Sequence, residues 1–295
     1  MRQFQSEVPP QTIRVGSLER EYRVVAPKEV PKTAMPMVFV FHGGTMRNGS
    51  VNMVRQSGFA EIALKEGLVA VFPQGVDGHW NDGRNAEIFR SLIARGVDDV
   101  AFVRQLVETL AKRYPIDTTR LYAVGVSNGG IFCHRLAHEA SDLIVAIAPI
   151  IASMPDTLAP KFAPKYPVSA IIFQGDADRL IPYNGGYVGV MGGRRGKVIP
   201  AEETVRHYLR LNGISGAPEV VILPDKDPSD GTITEVHRYP PGKEGHRVEY
   251  YRVRGGGHCW FGRMPQDPRS GKTSLDFSAT EAAWRFFKQV PPRRR

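Results

Sequence analysis

"RLYAVGVSNGGIF" (residues 120–132) runs from an apolar segment, through a serine flanked by glycines, into a helical pattern. Gly125-Val126-Ser127-Asn128-Gly129 fits G-x-S-x-G, the signature of a strand-to-helix turn so sharp that neighbouring positions must lack bulk. Such a turn lifts the serine hydroxyl above the end of a sheet. The bland alternative is a polar residue in a glycine-rich connection. Context separates the two, because the elbow needs a buried strand before it and a helix after it.

The chain supplies that context. "TIRVGSLEREYRVVAP" reads as a hairpin with strands either side of Gly16-Ser17. Further β-rich runs follow at 37–44, 68–73, 120–127, 143–149, 168–176 and 247–257. Several are apolar at every position, as strands covered on both faces require, which predicts a mostly parallel sheet. Helical periodicity is clearest over 97–114, where Val100, Val103, Leu106, Val107 and Leu110 recur at i, i+3, i+4. A second helix opens at Pro200 and stops at Gly213, and a third begins with the capping box Ser278-x-x-Glu281. Trp284, Phe286 and Phe287 on that helix read as core. Strands alternating with helices predict an α/β class, a doubly wound sheet with an N-terminal antiparallel hairpin and helices on both faces. No linker or repeat divides residues 1–295, so one catalytic domain is expected. The glycine-rich stretch 181–200 reads as an irregular excursion over the sheet.

Composition narrows the function. The net charge of +9 invites a nucleic-acid reading, but basic residues are scattered among acidic ones. The tight runs, "GGRRGK" (192–197) and the terminal "RRR", lack interleaved aromatics, so they read as solubilising charge and no nucleic-acid partner is expected. No apolar run reaches the roughly 18 residues of a membrane span. "LIVAIAPIIA" (143–152) is short and broken by Pro149. The first residues show no apolar leader segment. Cys133 and Cys259 allow one bridge at most, and no zinc site. His134 and His138 lack the glutamate of H-E-x-x-H and read as a solvated helix face. "SGKTS" (270–274) is not a phosphate loop, since Gln266 stands where a glycine is needed. No metal or organic cofactor is implied.

Chemistry in such a sheet gathers at the carboxyl ends of strands. A serine needs a base to become nucleophilic, and here the partners follow in the order serine, acid, histidine. Of the histidines after Ser127, His207 sits inside a helix, His237 in an alternating run and His246 in a charged turn. His258, in "RGGGHCW", directly follows a core strand with glycines that allow an unhindered loop. The acid is Asp176 or Asp178 in "AIIFQGDADRLIP". Asp178 lies further into the loop and is favoured, while Asp176 suits an Asx-type turn that ties down backbone. The oxyanion donors are expected to be the N–H of Asn128 and that of Gly44, with Thr45 the fallback, from the glycine turn after strand 37–44.

These residues lie in stretches that resemble a known family: "HGG" (42–44), "HWNDGR" (79–84), "GVSNGG" (125–130), "GDADRLIPYNGG" (175–186) and "GGGHCW" (255–260). They look like the polyhydroxybutyrate depolymerase-like and feruloyl-esterase-like serine esterases of carbohydrate esterase family one. That resemblance runs from about residue 20 to residue 288. It implies an α/β-hydrolase fold, with nucleophile Ser127, acid Asp178 and base His258. It also implies an ester substrate, either hydroxycinnamoyl esters of cell-wall sugars or hydroxyalkanoate and related polyesters. Trp80, Asn81, Trp260 and Tyr183 are then candidates for the walls of a substrate cleft. Phe261 stands where the family commonly has proline, which is expected to alter the rim. The family's common secretion favours an extracellular enzyme, with a cytoplasmic one the alternative. An acyltransferase using the same acyl-enzyme, and a non-catalytic binding protein that has kept the fold, are the rival readings.

Overall fold

The computed structural model describes residues 8–29, 31–190, 193–263 and 270–294, without the side chains of Val190 and Arg194. The first seven residues, the middle of the 181–200 stretch and Gln266 therefore lie outside the described residues. The chain begins with the expected hairpin, β1 (Gln11–Val15) and β2 (Leu18–Val25), then β3 (Met35–Phe41), helices α1 (Gly49–Gln56) and α2 (Phe59–Glu66), and β4 (Val69–Pro73). Next come α3 (Glu87–Ala94), α4 (Asp99–Ala111), β5 (Ile116–Val126), α5 (Asn128–Glu139), β6 (Ala146–Ile150) and β7 (Ser169–Gly175). A hairpin, β8 (Gly186–Val190) and β9 (Gly193–Val198), precedes α6 (Ala201–Leu211). The chain closes with β10 (Glu219–Ile222), β11 (Ile233–Arg238), β12 (Val248–Arg254) and α7 (Ala279–Phe287).

The strands form a ten-stranded sheet ordered β1-β2-β4-β3-β5-β6-β7-β12-β11-β10. From β4 to β12 the pairings are parallel, and the hairpin pairs at each margin are antiparallel. β3 shows why the central strands are apolar throughout. Met37, Phe39 and Phe41 pack into the cluster under α4, α5 and α6, whereas Val38 and Val40 pack under α1, α2 and α7. Successive side chains point to opposite faces, so both must be apolar when both faces are covered. Each fully buried side chain of this size contributes about 1.5–3 kcal/mol relative to exposure.

Local signals start the helices where chemistry predicts. The Asp98 carboxylate accepts from Ala101 N (2.9 Å) to start α4, and Ser278 Oγ accepts from Glu281 N (3.3 Å) to start α7. Trp284, Phe286 and Phe287 are buried. Two expectations are corrected. The 181–200 stretch is not irregular: β8 pairs with β9, and the expectation missed this because glycines interrupt the alternation by which strands are read. His134 is fully buried, its Nε2–H donating to Ala152 O (3.2 Å) and its Nδ1 accepting from Tyr208 Oη (2.9 Å). Both cysteines are free and buried. Among the described residues no helix is long and apolar enough to cross a membrane.

One buried ion pair joins the N-terminal hairpin to the loop beside the elbow. Arg20 Nη2 meets Asp99 Oδ1 at 2.7 Å, with both side chains almost wholly buried, and the guanidinium lies 4.1 Å from the centre of the Phe102 ring. The second Asp99 oxygen accepts from Asn81 N (2.8 Å). Burial pushes the Asp99 carboxyl up, and the Arg20 charge opposes that rise. Removing one partner leaves the other charge buried alone, so Arg20→Met is expected to lower unfolding free energy in urea by about 3–5 kcal/mol. The double change Arg20→Met/Asp99→Leu should recover most of it; a single-variant loss below about 1 kcal/mol would mean that the pair is solvated.

Candidate active site

Ser127 sits between β5 and α5 with φ 55° and ψ −121°, a conformation that a non-glycine residue adopts only under constraint. The constraint is contact. A Cβ on Gly125 would lie 2.4 Å from Gly129 O, and one on Gly129 would lie 2.4 Å from His42 O and 2.7 Å from Phe41 O. The first turn of α5 therefore rests on the end of β3, and only glycine permits it. Ser127 N donates to Ile150 O (3.0 Å) and Ser127 O accepts from Ile131 N (2.8 Å), fixing the turn from both sides.

Ser127 lines a cavity of about 600 Å³ together with His258. His258 Nδ1–H donates to Asp178 Oδ2 at 2.8 Å, and the Asp178 carboxylate is fully buried. Its other oxygen accepts from Leu180 N (2.7 Å) and Ile181 N (3.0 Å), so the carboxylate cannot swing away from the imidazole. The histidine loop is clipped in turn to residues 270–272, with His258 N donating to Ser270 O (2.6 Å) and Gly257 N to Lys272 O (2.7 Å). Asp176 turns the other way, accepting from Gly255 N (2.7 Å) and Arg252 Nη2 (3.2 Å).

Gly44, Thr45 and Asn128 also line the cavity. A Cβ at Gly44 would lie 3.4 Å from that of Asn128, so the two expected donors are neighbours. Among the described residues none of their three N–H groups has an acceptor. Asn128 begins α5, where unpaired N–H groups and the positive helix end favour a developing anion. The turn carrying Gly44 is shaped by His42, whose Nδ1–H donates to Gly43 O (2.7 Å) while Nε2 accepts from Gly75 N (2.9 Å).

The aromatic candidates separate. Trp260 lines the cavity, its indole N–H donating to Thr280 Oγ1 (3.0 Å). Trp80 does not: it is wholly buried, stacked on Phe132 at 5.6 Å, with its indole N–H on His42 O (3.0 Å). Asn81 is buried beside it and its N–H is held by Asp99. Tyr183 packs against the core and accepts from Tyr250 Oη (2.8 Å), away from the cavity. Phe261 is buried against Phe277 and leaves the rim untouched. Loop position made these rings attractive; the structure leaves Trp260 on the wall and packs Trp80, Tyr183 and Phe261 elsewhere.

Residues unremarked in the sequence do more. The Asn128 side chain donates to Trp80 O (2.9 Å) and Asp82 Oδ2 (2.7 Å) and accepts from Trp80 N (2.9 Å). Asp82 also pairs with buried Arg84 (2.7 Å). The quoted "HWNDGR" holds these partners, but only the fold shows that they face Asn128. From β9, Arg195 enters the cavity, and its Nη1 donates to His79 Nε2 at 3.4 Å.

No model of a protein family matches the chain. The six parallel strands, the elbow and the late histidine loop define the α/β-hydrolase fold. A solved acetyl xylan esterase from Aspergillus awamori superposes with a TM-score of 0.59 over 92% of this chain and 94% of that one, at 11% identity. Among curated proteins, "Putative esterase NocK" of Nocardia uniformis subsp. tsuyamanensis is 29% identical over 283 residues, 92% of this chain and 80% of its own length. "Feruloyl esterase B" of Piromyces equi is 27% identical over 68% of this chain and 35% of its own length. "Poly(3-hydroxyalkanoate) depolymerase C" of Paucimonas lemoignei is 26% identical over 83% and 58%. The chain spans less than two thirds of the last two. The relatives' names support a carboxylic ester hydrolase, and the structure has the α/β-hydrolase fold.

Burial holds the His42 and His134 imidazoles neutral, with pKa values lowered from 6.5 to about 4. Between those values the unfolded chain binds more protons than the folded one, so stability falls as pH falls through that window. Each buried imidazole should cost up to about 2 kcal/mol of unfolding free energy between pH 7 and pH 5. Urea titrations at the two pH values measure this, and His134→Asn should flatten the slope. Equal stability at both would contradict neutral burial.

Proposed function

We propose that the chain cleaves a carboxylic ester through a covalent acyl-enzyme on Ser127. The observation that carries this reading is the strained Ser127 turn opening onto the cavity that also holds the Asp178-bound His258. With Nδ1–H given to Asp178, the other ring nitrogen is the one left to accept the serine proton. Ser127 Oγ then attacks the ester carbonyl, and the tetrahedral oxyanion is received by the N–H groups of Asn128 and Gly44, with Thr45 next in line. His258 returns the proton to the departing alcohol. Water, deprotonated by the same imidazole, splits the acyl-enzyme and regenerates the serine. Asp178 keeps the imidazole in one tautomer and stabilises the cation it becomes.

The cavity volume suits an acyl group of drug-like size. Trp260 and Phe89 on its wall favour a flat or ring-bearing ester, in keeping with the hydroxycinnamoyl class, and the relatives' names add hydroxyalkanoate esters. Ser127→Ala should lower turnover of p-nitrophenyl acetate by about 10³-fold or more with the circular-dichroism spectrum unchanged. An organophosphonate should label the parent protein at Ser127 and leave the variant unmodified. Near-parental turnover in Ser127→Ala would remove the assignment.

A further inference from the structure

The wall of the Ser127 cavity has an uneven charge. Among the described residues it carries four arginines, Arg55, Arg84, Arg195 and Arg263, and no aspartate or glutamate. Arg84 is neutralised by Asp82, Arg55 is exposed at the margin, and Arg263 adjoins residues 264–269, which lie outside the described ones. Arg195 is different. It is half-buried, and its one hydrogen-bonding partner among the described residues is an imidazole. His79 Nδ1–H donates to Asp77 O (2.9 Å), which leaves Nε2 as an acceptor aimed at the guanidinium. Burial first, and the Arg195 charge after it, lower the His79 pKa against the pull of the Asp77 carbonyl and of the Asp77 and Asp82 carboxylates, and the neutral ring sets no charge against Arg195.

Placement of Arg195 is built into the backbone. The β8–β9 hairpin is pinned by Gly189 N on Leu180 O (2.9 Å), Asp156 N on Lys197 O (3.2 Å) and Ile199 N on Met154 O (2.9 Å). Gly196 has φ 74°, and a Cβ there would meet Arg84 Cβ at 2.7 Å, so the hairpin is seated directly on the Asp82–Arg84 pair. His79 in turn reaches the expected oxyanion turn, its Cδ2 lying 3.5 Å from the Cβ position of Gly44. Among the described residues the fold thus holds a half-buried cation on the wall of the Ser127 cavity with no carboxylate paired to it. Such a cation costs free energy unless an anion completes it.

We propose that the ester this cavity accepts carries a carboxylate, bound by Arg195 beside the Gly44 turn. The inference rests on the ester-hydrolase reading above and narrows its substrate to esters of a dicarboxylic acid or of a hydroxy acid. A guanidinium offers a planar fork that matches a carboxylate, and such charge-assisted hydrogen bonds are the strong ones. The carboxylate can sit on the acyl or on the alcohol side of the ester, and the two sources are separable.

The test compares kcat/KM for two matched pairs: mono-p-nitrophenyl adipate against p-nitrophenyl hexanoate, and 4-acetoxybenzoate against its methyl ester. One anionic member should exceed its neutral partner by about tenfold or more. That ratio should fall toward one in Arg195→Gln, return in part in Arg195→Lys, and shrink as NaCl rises from about 50 to 500 mM. Organophosphonate labelling of Ser127 is the separate readout. A labelled, active protein with no anionic preference, or with a preference that survives in Arg195→Gln, overturns this inference alone. A protein that is neither labelled nor active on any of the four esters overturns the underlying reading as well.

Discussion

The contact between the Gly129 backbone and the carbonyls of Phe41 and His42 is what the rest of the site depends on. Without a side chain at that point, the first turn of α5 lies against the end of β3. Two unpaired N–H groups, from the helix start and from the turn after β3, then come together. The close approach also forces Ser127 into its positive φ, a strain of about 1–3 kcal/mol that neighbouring packing must hold in place. A bulkier residue would push the helix outward, relax the serine and separate the donors at once. The strain at Ser127 and the convergence of the two N–H groups are therefore one structural fact seen from two sides.

Around that contact the fold stiffens the loops with buried polar pairs beside the apolar packing of Trp80. Asn128 satisfies both backbone groups of Trp80, and Asp82 joins that amide to Arg84. One residue along, Asn81 N hangs on Asp99, which is itself held by Arg20 from the N-terminal hairpin. These links fix geometry in a low-dielectric interior, since each broken one strands a buried donor or charge, even though Arg20 Nε and Arg84 Nη1 find no partner among the described residues. Neutral His42 and His79 belong to the same design: each gives its Nδ1–H to a nearby carbonyl and turns Nε2 toward a neighbouring donor. A protonated ring could not accept there.

How much of this was legible in the sequence follows from the range of each interaction. The parallel core, the N-terminal hairpin and the strand–turn–helix around Ser127 are local patterns, written in periodicity, glycine placement and caps. The positions of Asp178 and His258 could be narrowed because each had to follow a strand. What failed was the assignment of side chains to cavity or core. Trp80 and Tyr183 looked like cleft walls, and His134 like a solvated face, because a single residue's burial depends on partners such as Phe132 and Tyr208 that are distant in the chain. The tight run "GGRRGK" reads as solubilising charge for the same reason, because only the path of β9 brings Arg195 into the cavity that Ser127 lines.

Asp176 and Asp178 show how two like residues at one strand end divide their work. β7 ends at Gly175, and the chain turns so that the two carboxylates leave in different directions. Asp178 reaches the imidazole. Asp176 reaches back to β12, holding Gly255 N and Arg252, while its own N–H donates to Val253 O (3.1 Å). Gly255 opens the three-glycine segment that leads into His258, so Asp176 sets the point from which that flexible segment starts. The glycines let the loop pass close to residues 270–272 but give it little stiffness of their own. The imidazole is thus held at its ring by one carboxylate and at the root of its loop by the other. This explains how a histidine on a glycine-rich loop can keep one orientation.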